Sequence, residues 1–398
     1  MEATAPDRAR SPIKQTTLIF VLGVCAFASG FGLRIVDPSI PLLAAEFGTS
    51  LTVTSLVVTA FSISYALGQP ILGPLGDVVG KSRMIIVCGS FAALFVLACA
   101  AAPGFTTLVG LRAISGFAAG GIIPLSVALL SDRVGGADRQ VAIGRFLMAP
   151  ILGQMFGAAT AGIVADRFGW RAVFVLTGLL LIVAIVTAFA TLRTEAAPRP
   201  ERFAVGSILD RYGLVLANPT ALPLHALIML LGGAAFGILP YVAAILSSRL
   251  GTGSSEARLV IAGFGIGGVV FAIVIRAVFV RLGPALMDRV GGLASGAAIM
   301  LFALPLPWTW DMALFVVFGF FYYMLQNTLQ AQAADLAPEA RGSAVSLFAF
   351  SMFTAQGIGP VVVGQVLDGA SPTPVLVGLG VVLAGVGLTA ERVLFRRP

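Results

Sequence analysis

The stretch GPLGDVVGK (residues 73–81) is short, charged and rich in glycine, and it sits between two long apolar runs. SLVVTAFSISYALGQPIL (residues 55–72) precedes it and MIIVCGSFAALFVLACAAA (residues 84–102) follows closely. Each run is long enough to cross the hydrocarbon core of a bilayer, about 30 Å, as a helix. The glycines then read as a tight turn between two crossings. Asp77 and Lys81 mark its water-facing end.

The same alternation continues along the chain. Of its residues, 58% are hydrophobic and 11% charged, a balance that excludes an ordinary soluble domain. The ten-residue alternation of a membrane β-barrel is missing from the sequence. Irregular backbone facing lipid would leave its polar groups unpaired, so the runs are predicted to be helices. Spans are expected at 17–40, 53–73, 83–101, 105–131, 140–164, 171–192, 221–246, 257–280, 290–306, 310–334, 343–366 and 372–391. The predicted fold is therefore an all-α polytopic membrane protein of twelve transmembrane helices. Its parts are an N-terminal tail (1–16), a six-helix bundle (17–192), a linker (193–220), a second six-helix bundle (221–391) and a C-terminal tail (392–398). The first run is too long for the apolar region of a signal peptide and is read as an uncleaved helix.

An even number of crossings puts both termini on one side. Lys and Arg concentrate on that side, while the opposite connections hold Arg167, Arg171, Arg249 and Arg258. The positive-inside rule then places both termini in the cytoplasm and the chain in the inner membrane. The net charge of +7 is accounted for by this topology and is no sign of nucleic-acid binding. Cys25, Cys88 and Cys99 all lie inside apolar runs and read as small buried hydrophobes. No metal site, cofactor or disulfide is expected.

The halves are copies. At an offset of 203 residues Gly80 meets Gly283 and Asp132 meets Asp335; at 202, QMFGAATAGIVAD (154–166) lies on QGIGPVVVGQVLD (356–368). Two parallel repeats related by an axis along the membrane normal place a solute site near the midplane, between them.

Several motifs carry charge or polarity. Arg112 lies within the fourth span, where an arginine costs roughly 2.5–3.5 kcal/mol to insert. It either faces the bundle interior or snorkels to the nearer surface. Arg34 and Asp37 end the first span at i and i+3, on one helix face. They form either a proton switch, in which Asp37 approaches Arg34 or Arg112, or a solvated cap before Pro38. In the tenth span Tyr323, Asn327 and Gln330 make a polar stripe with Tyr322 and Gln326 beside it, serving either substrate contact or interhelical hydrogen bonds. Tyr241 is a further substrate candidate. His225, the single histidine, reads as a structural hydrogen-bonding residue, and GFGIGG (263–268) reads as helix packing because no strand precedes it.

Gly73, Leu75, Asp77, Gly80, Lys81 and Arg83 resemble the motif between helices two and three of the major facilitator superfamily, with Val78 at a position usually basic. The resemblance implies that Asp77 latches the cytoplasmic side of the outward-open state, with Arg133 and Arg139 as candidate partners. Arg112 within LRAISG is similar to the family's fourth-helix motif, linked to proton coupling. Gly144, Gly153, Gly157 and Gly162 match the spacing of a fifth-helix motif of drug exporters, although Ala158 and Ala161 replace its proline and one glycine. The copied helix keeps Gly359 and Pro360. The implied fold is two pseudo-symmetric bundles, and the implied function is secondary transport of a small organic solute by alternating access, coupled to protons and directed outward. Import or facilitated passage is the alternative, and a non-transporting sensor a more distant one. An enzyme is not expected, since one histidine and few buried carboxylates supply no catalytic cluster. The expected partners are a small-molecule substrate, protons and the bilayer, with the chain acting as a monomer.

Overall fold

The computed structural model describes residues 14–134, 136–192, 205–250, 254–369 and 371–395. No strand occurs among them. In the first half α1 (Gln15–Arg34) passes through a 3-10 turn (Asp37–Ser39) into a short continuation (Ile40–Phe47). It is followed by α2 (Leu56–Val79), α3 (Lys81–Ala100), α4 (Phe105–Gly120, continued by Ile122–Arg133), α5 (Gly136–Phe168) and α6 (Trp170–Leu192). In the second half α7 (Ala221–Ile238) passes through a 3-10 turn (Leu239–Tyr241) into Val242–Leu250. A 49-residue helical stretch, Ser254–Phe302, then breaks at Gly283 into α8 (254–282) and α9 (284–302). Unbroken, it would run about 75 Å, more than twice the hydrocarbon thickness. The last helices are α10 (Trp308–Asp335), α11 (Arg341–Gly369) and α12 (Pro372–Phe395). Eleven stretches among the described residues are long and apolar enough to span a membrane, and the one containing Gly283 holds two crossings, which gives twelve.

The repeat seen in the sequence is a repeat of local structure. Gly80 (φ 103°) and Gly283 (φ 68°) both turn the chain with positive φ between the second and third helices of their halves. The turn is tighter than the sequence reading implied. Despite Pro70 and Pro74, α2 continues through Asp77 to Val79, so Gly80 alone separates it from α3. The two 3-10 turns also correspond, and each carries a proline, Pro38 and Pro240.

Equivalent helices pack alike: α1 on α5, α2 on α4 and α3 on α6 are matched by α7 on α11, α8 on α10 and α9 on α12. Lipid tails are as apolar as leucine, so these contacts rest on close backbone approach at small residues. A Cβ on Gly157 would meet the Phe31 carbonyl of α1 and stand 3.1 Å from the Phe31 Cα, and one on its copy Gly359 would stand 2.5 Å from the Gly233 carbonyl oxygen of α7. Gly153 is equally tight, 2.9 Å from the Phe31 nitrogen. Buried side chains form two large clusters, one drawn from residues 18–192 and one from 215–390. Large apolar side chains such as Phe91, Leu94, Val186 and Ile273 point outward, where lipid lies.

Two details add to the sequence reading. The linker contains a helix, Val205–Leu216, whose Val215 is fully buried in the second core. Trp170, which opens α6, is only 4% exposed. Its Nε1 donates to Glu46 at 2.6 Å, and the Arg171 guanidinium, also bonded to Glu46, lies 4.2 Å from its ring centre.

Gly283 combines positive φ with ψ 166°, a region essentially closed to side chains. Gly283→Ala is expected to lower stability by about 1–3 kcal/mol, read as an earlier thermal unfolding midpoint in detergent. A wild-type midpoint would remove this account of the break.

Candidate transport site between the halves

Arg34 closes α1 and is 4% exposed. Its Nη1 donates to Asp37 Oδ2 at 3.2 Å, and its Nη2 donates to Gln356 Oε1 of α11 at 2.5 Å. The guanidinium also lies 3.9 Å from the centre of the Phe236 ring on α7. A single cation from the first half is thus held by an acid of its own half and by an amide and a ring of the other. Asp37 opens the 3-10 turn, is 2% exposed, and keeps Oδ1 without a hydrogen-bond partner among the described residues. Charges this deep persist only where they are paired. The pair is therefore not a solvated cap.

Arg112 is 0% exposed, so it does not snorkel. Its Nε and Nη1 reach the carbonyls of Val57 and Gly32, each at 3.4 Å, and its guanidinium lies 3.9 Å from the Phe61 ring centre. Carbonyl dipoles and aromatic faces stabilise the cation there. Of the two arginines considered for Asp37, the geometry pairs it with Arg34.

A cavity of about 120 Å³ opens at this point. Arg34, Asp37, Gln154 and Tyr323 supply its polar wall, and the rest is mostly apolar, including Phe156 and Phe264. Helices α1, α5, α7, α8 and α10 all contribute, so the cavity lies between the two halves. Of the substrate candidates, only Tyr323 reaches it. Tyr322 is fully buried among Phe236, Phe264 and Phe318, with its hydroxyl 3.6 Å from Met352 Sδ. Tyr241 donates to the Pro360 carbonyl at 2.6 Å and ties α11 to the end of α7. Gln326, Asn327 and Gln330 are half-buried on α10 and do not line the cavity.

Gln154, Phe236 and Gln356 were not among the sequence candidates. The coincidence of the two glutamines at an offset of 202 was the available signal. Phe236 stands among many apolar residues and gave none. His225 Nδ1 lies 3.0 Å from Ser351 Oγ, an α7–α11 contact away from the cavity. GFGIGG lies within α8, where Gly263 approaches the Met312 carbonyl of α10.

At the turn that opened the sequence reading, Lys81 Nζ donates to Asp132 Oδ2 at 2.6 Å, linking α3 to α4. Gly73 and Leu75 lie on the last turns of α2, and Arg83 on the first turn of α3. Arg133 ends α4. The side chains of Asp77 and Arg139 lie outside the described part of the structure.

Asp37→Ala would leave Arg34 buried with an amide and a ring only. It is expected to lower stability by about 3–5 kcal/mol, the usual effect of removing one partner of a buried pair. Asp37→Asn retains an acceptor and should lose markedly less, which chemical denaturation of the purified variants would show.

A Major Facilitator Superfamily model matches residues 22–360 and 236–398. Multidrug export protein EmrB of Escherichia coli K12 is 26% identical over 210 residues, covering 52% of this chain and 40% of that protein. Fatty acid resistance protein FarB of Neisseria gonorrhoeae is 28% identical over 186 residues, 45% of this chain and 36% of FarB. An uncharacterized transporter of Buchnera aphidicola is 24% identical over 229 residues, 58% of this chain and 55% of that protein. The chain thus spans about half or less of the length of these relatives. Two solved structures share the fold over nearly the full chain. A bacterial homologue of the human lysosomal transporter Spinster superposes with a TM-score of 0.76 at 16% identity, covering 97% of this chain and 98% of that one. The nucleoside transporter NupG gives 0.75 at 14% identity, covering 95% and 100%. With its twelve crossings in two matched halves, its interfacial cavity and this family match, the chain belongs to the Major Facilitator Superfamily of membrane transporters.

Proposed function

We propose that the protein is a proton-coupled secondary transporter that exports a small organic solute by alternating access, with both termini in the cytoplasm. One observation carries this reading: a buried Arg34–Asp37 pair on the wall of an otherwise apolar cavity between the two halves. Arg34 is also bonded to Gln356 of the opposite half, so a change in the charge on Asp37 alters a contact that joins the halves. Deprotonated, Asp37 holds Arg34 by charge. Protonated, it releases much of that hold, and the guanidinium turns to other acceptors of the protein. A proton and a donor group of the solute that compete for the Asp37 carboxylate, whose Oδ1 is open at the cavity, give antiport. The apolar wall with Tyr323 and Gln154 suits a neutral or amphipathic solute. The outward direction draws on the similarity to proteins named for multidrug export and fatty acid resistance.

Arg112 has a supporting role in this scheme. Bonded to the Gly32 carbonyl at 3.4 Å, it holds the last turns of α1 and so positions Arg34. Asp77, with Arg133 and Arg139, is assigned the latch at the end of the molecule that carries the termini. The chain works as a monomer, since one copy encloses the whole cavity.

In liposomes carrying a pH-sensitive dye and an imposed proton gradient, addition of a transported solute should move protons through wild-type protein. Asp37→Asn should abolish that movement while the variant still binds solute. Uphill transport by Asp37→Asn on a pH gradient would overturn the proton role of Asp37. Asp77→Asn should slow transport about ten-fold or more with solute binding retained, the pattern of a conformational step rather than a contact; an unchanged rate would remove Asp77 from the latch.

A further inference from the structure

The cavity wall is thinnest between α5 and α8. There it includes Phe156 and Ile266, and both are exposed. Each belongs to a lipid-facing stripe with a seven-residue repeat, Phe156 with Ile163 on α5 and Ile266 with Ile273 on α8. The space between these helices therefore runs from the cavity out to the bilayer. The two helices are antiparallel. Arg258 donates to the Gly162 carbonyl at 3.3 Å, and seven residues further on both helices a Cβ on Gly265 would stand 2.5 Å from Met155 Cγ. Ten residues beyond that, about 15 Å closer to the end that carries the termini, the same register sets Arg145 level with Ile275 and next to Arg276. Arg145 lies on the stripe of Phe156 and Arg276 on the face of Gly265, each eleven residues, or about three turns, away. Gly265 is buried, whereas Ala272 and Arg276 on its face are exposed, so the groove widens toward the arginines.

Neither arginine has a hydrogen-bond or ion-pair partner among the described residues. Arg276 is flanked along α8 by Ile273, 75% exposed, and Val280, 77% exposed, so its charge sits at a depth where apolar side chains meet lipid. An arginine there needs a counter-charge, and the described residues supply none. We propose that the α5–α8 groove is a binding site for an anionic phospholipid of the leaflet on the terminus side. Its phosphate lies between Arg145 and Arg276, matched to their planar forks of donors. One acyl chain runs along Phe156 and Ile266 and closes the cavity against the bilayer. Charge selects the headgroup and the apolar stripes select the chain, so free phosphate lacks half of the contacts. The lipid is part of the cavity wall and not its cargo. The site therefore stands apart from the antiport reading and can be tested without transport.

The test uses the full chain carrying Phe156→Trp in phosphatidylcholine nanodiscs, to which a small fraction of phosphatidylglycerol or phosphatidylcholine with brominated acyl chains is added. Bromine on a neighbouring chain quenches indole fluorescence, and the parent protein, with Trp170, Trp308 and Trp310, supplies the background to subtract. Brominated phosphatidylglycerol should quench the introduced indole at a lower mole fraction than brominated phosphatidylcholine. Arg145→Gln and Arg276→Gln should each reduce that preference about five-fold, and together they should bring the two lipids near parity. Arg145→Lys with Arg276→Lys should keep most of it. Arg281→Gln removes an exposed arginine on the opposite face of α8 and should leave the preference unchanged. Excess inorganic phosphate should displace no more lipid than chloride at equal ionic strength. Equal quenching by the two lipids would overturn the proposal, as would a preference that survives the double glutamine variant. A preference that falls as much with Arg281→Gln would also overturn it, being the mark of general surface charge, and displacement by inorganic phosphate would replace the lipid with a simple anion.

Discussion

Hydrocarbon supplies no water to satisfy a polar group and no hydrophobic drive to press one helix on another. Everything polar within the spans must therefore be matched inside the protein, and helices must be held by close contact. The Arg34 cluster is the sharpest case. A guanidinium at the end of α1 is matched by Asp37, by Gln356 and by the Phe236 ring, and these partners come from three helical segments in both halves. The cavity sits where that matching is incomplete, beside the open oxygen of Asp37.

Duplication explains how so few devices build twelve crossings. The turn at Gly80 returns at Gly283, the 3-10 turn after α1 returns after α7, and the Gly157 contact with α1 returns as the Gly359 contact with α7. The copies have diverged where chemistry is concentrated. The 3-10 turn begins with Asp37 in one half and with Leu239 in the other, so the buried acid is present once. A symmetric frame thus carries an asymmetric site.

Much of this was legible in the sequence. Length and polarity of the apolar runs gave the spans because lipid allows little else, and the constant offset gave the two halves. The spacing of Arg34 and Asp37 put them on one helix face, because i and i+3 meet on any helical turn, but left Arg112 open as the other partner of Asp37. What the sequence withheld is three-dimensional. Tyr322 and Tyr323 are neighbours in sequence on the same helix, and only their rotation about α10 sends one into the core and the other to the cavity. Phe236 is one apolar residue in an apolar helix until Arg34 is placed over it. The helix through Asp77 was also hidden, since two prolines and three glycines read locally as a loop while packing against α4 keeps the backbone helical.

The single-residue junction at Gly80 has a mechanical consequence. With α2 ending at Val79 and α3 starting at Lys81, no slack lies between them, and Lys81 is tied across to Asp132 on α4. Tilting α2 therefore drags α3 and α4 as one lever, whose far arm is the segment that reaches across to α11. Force applied at one membrane surface arrives at the other without being absorbed in a loop on the way.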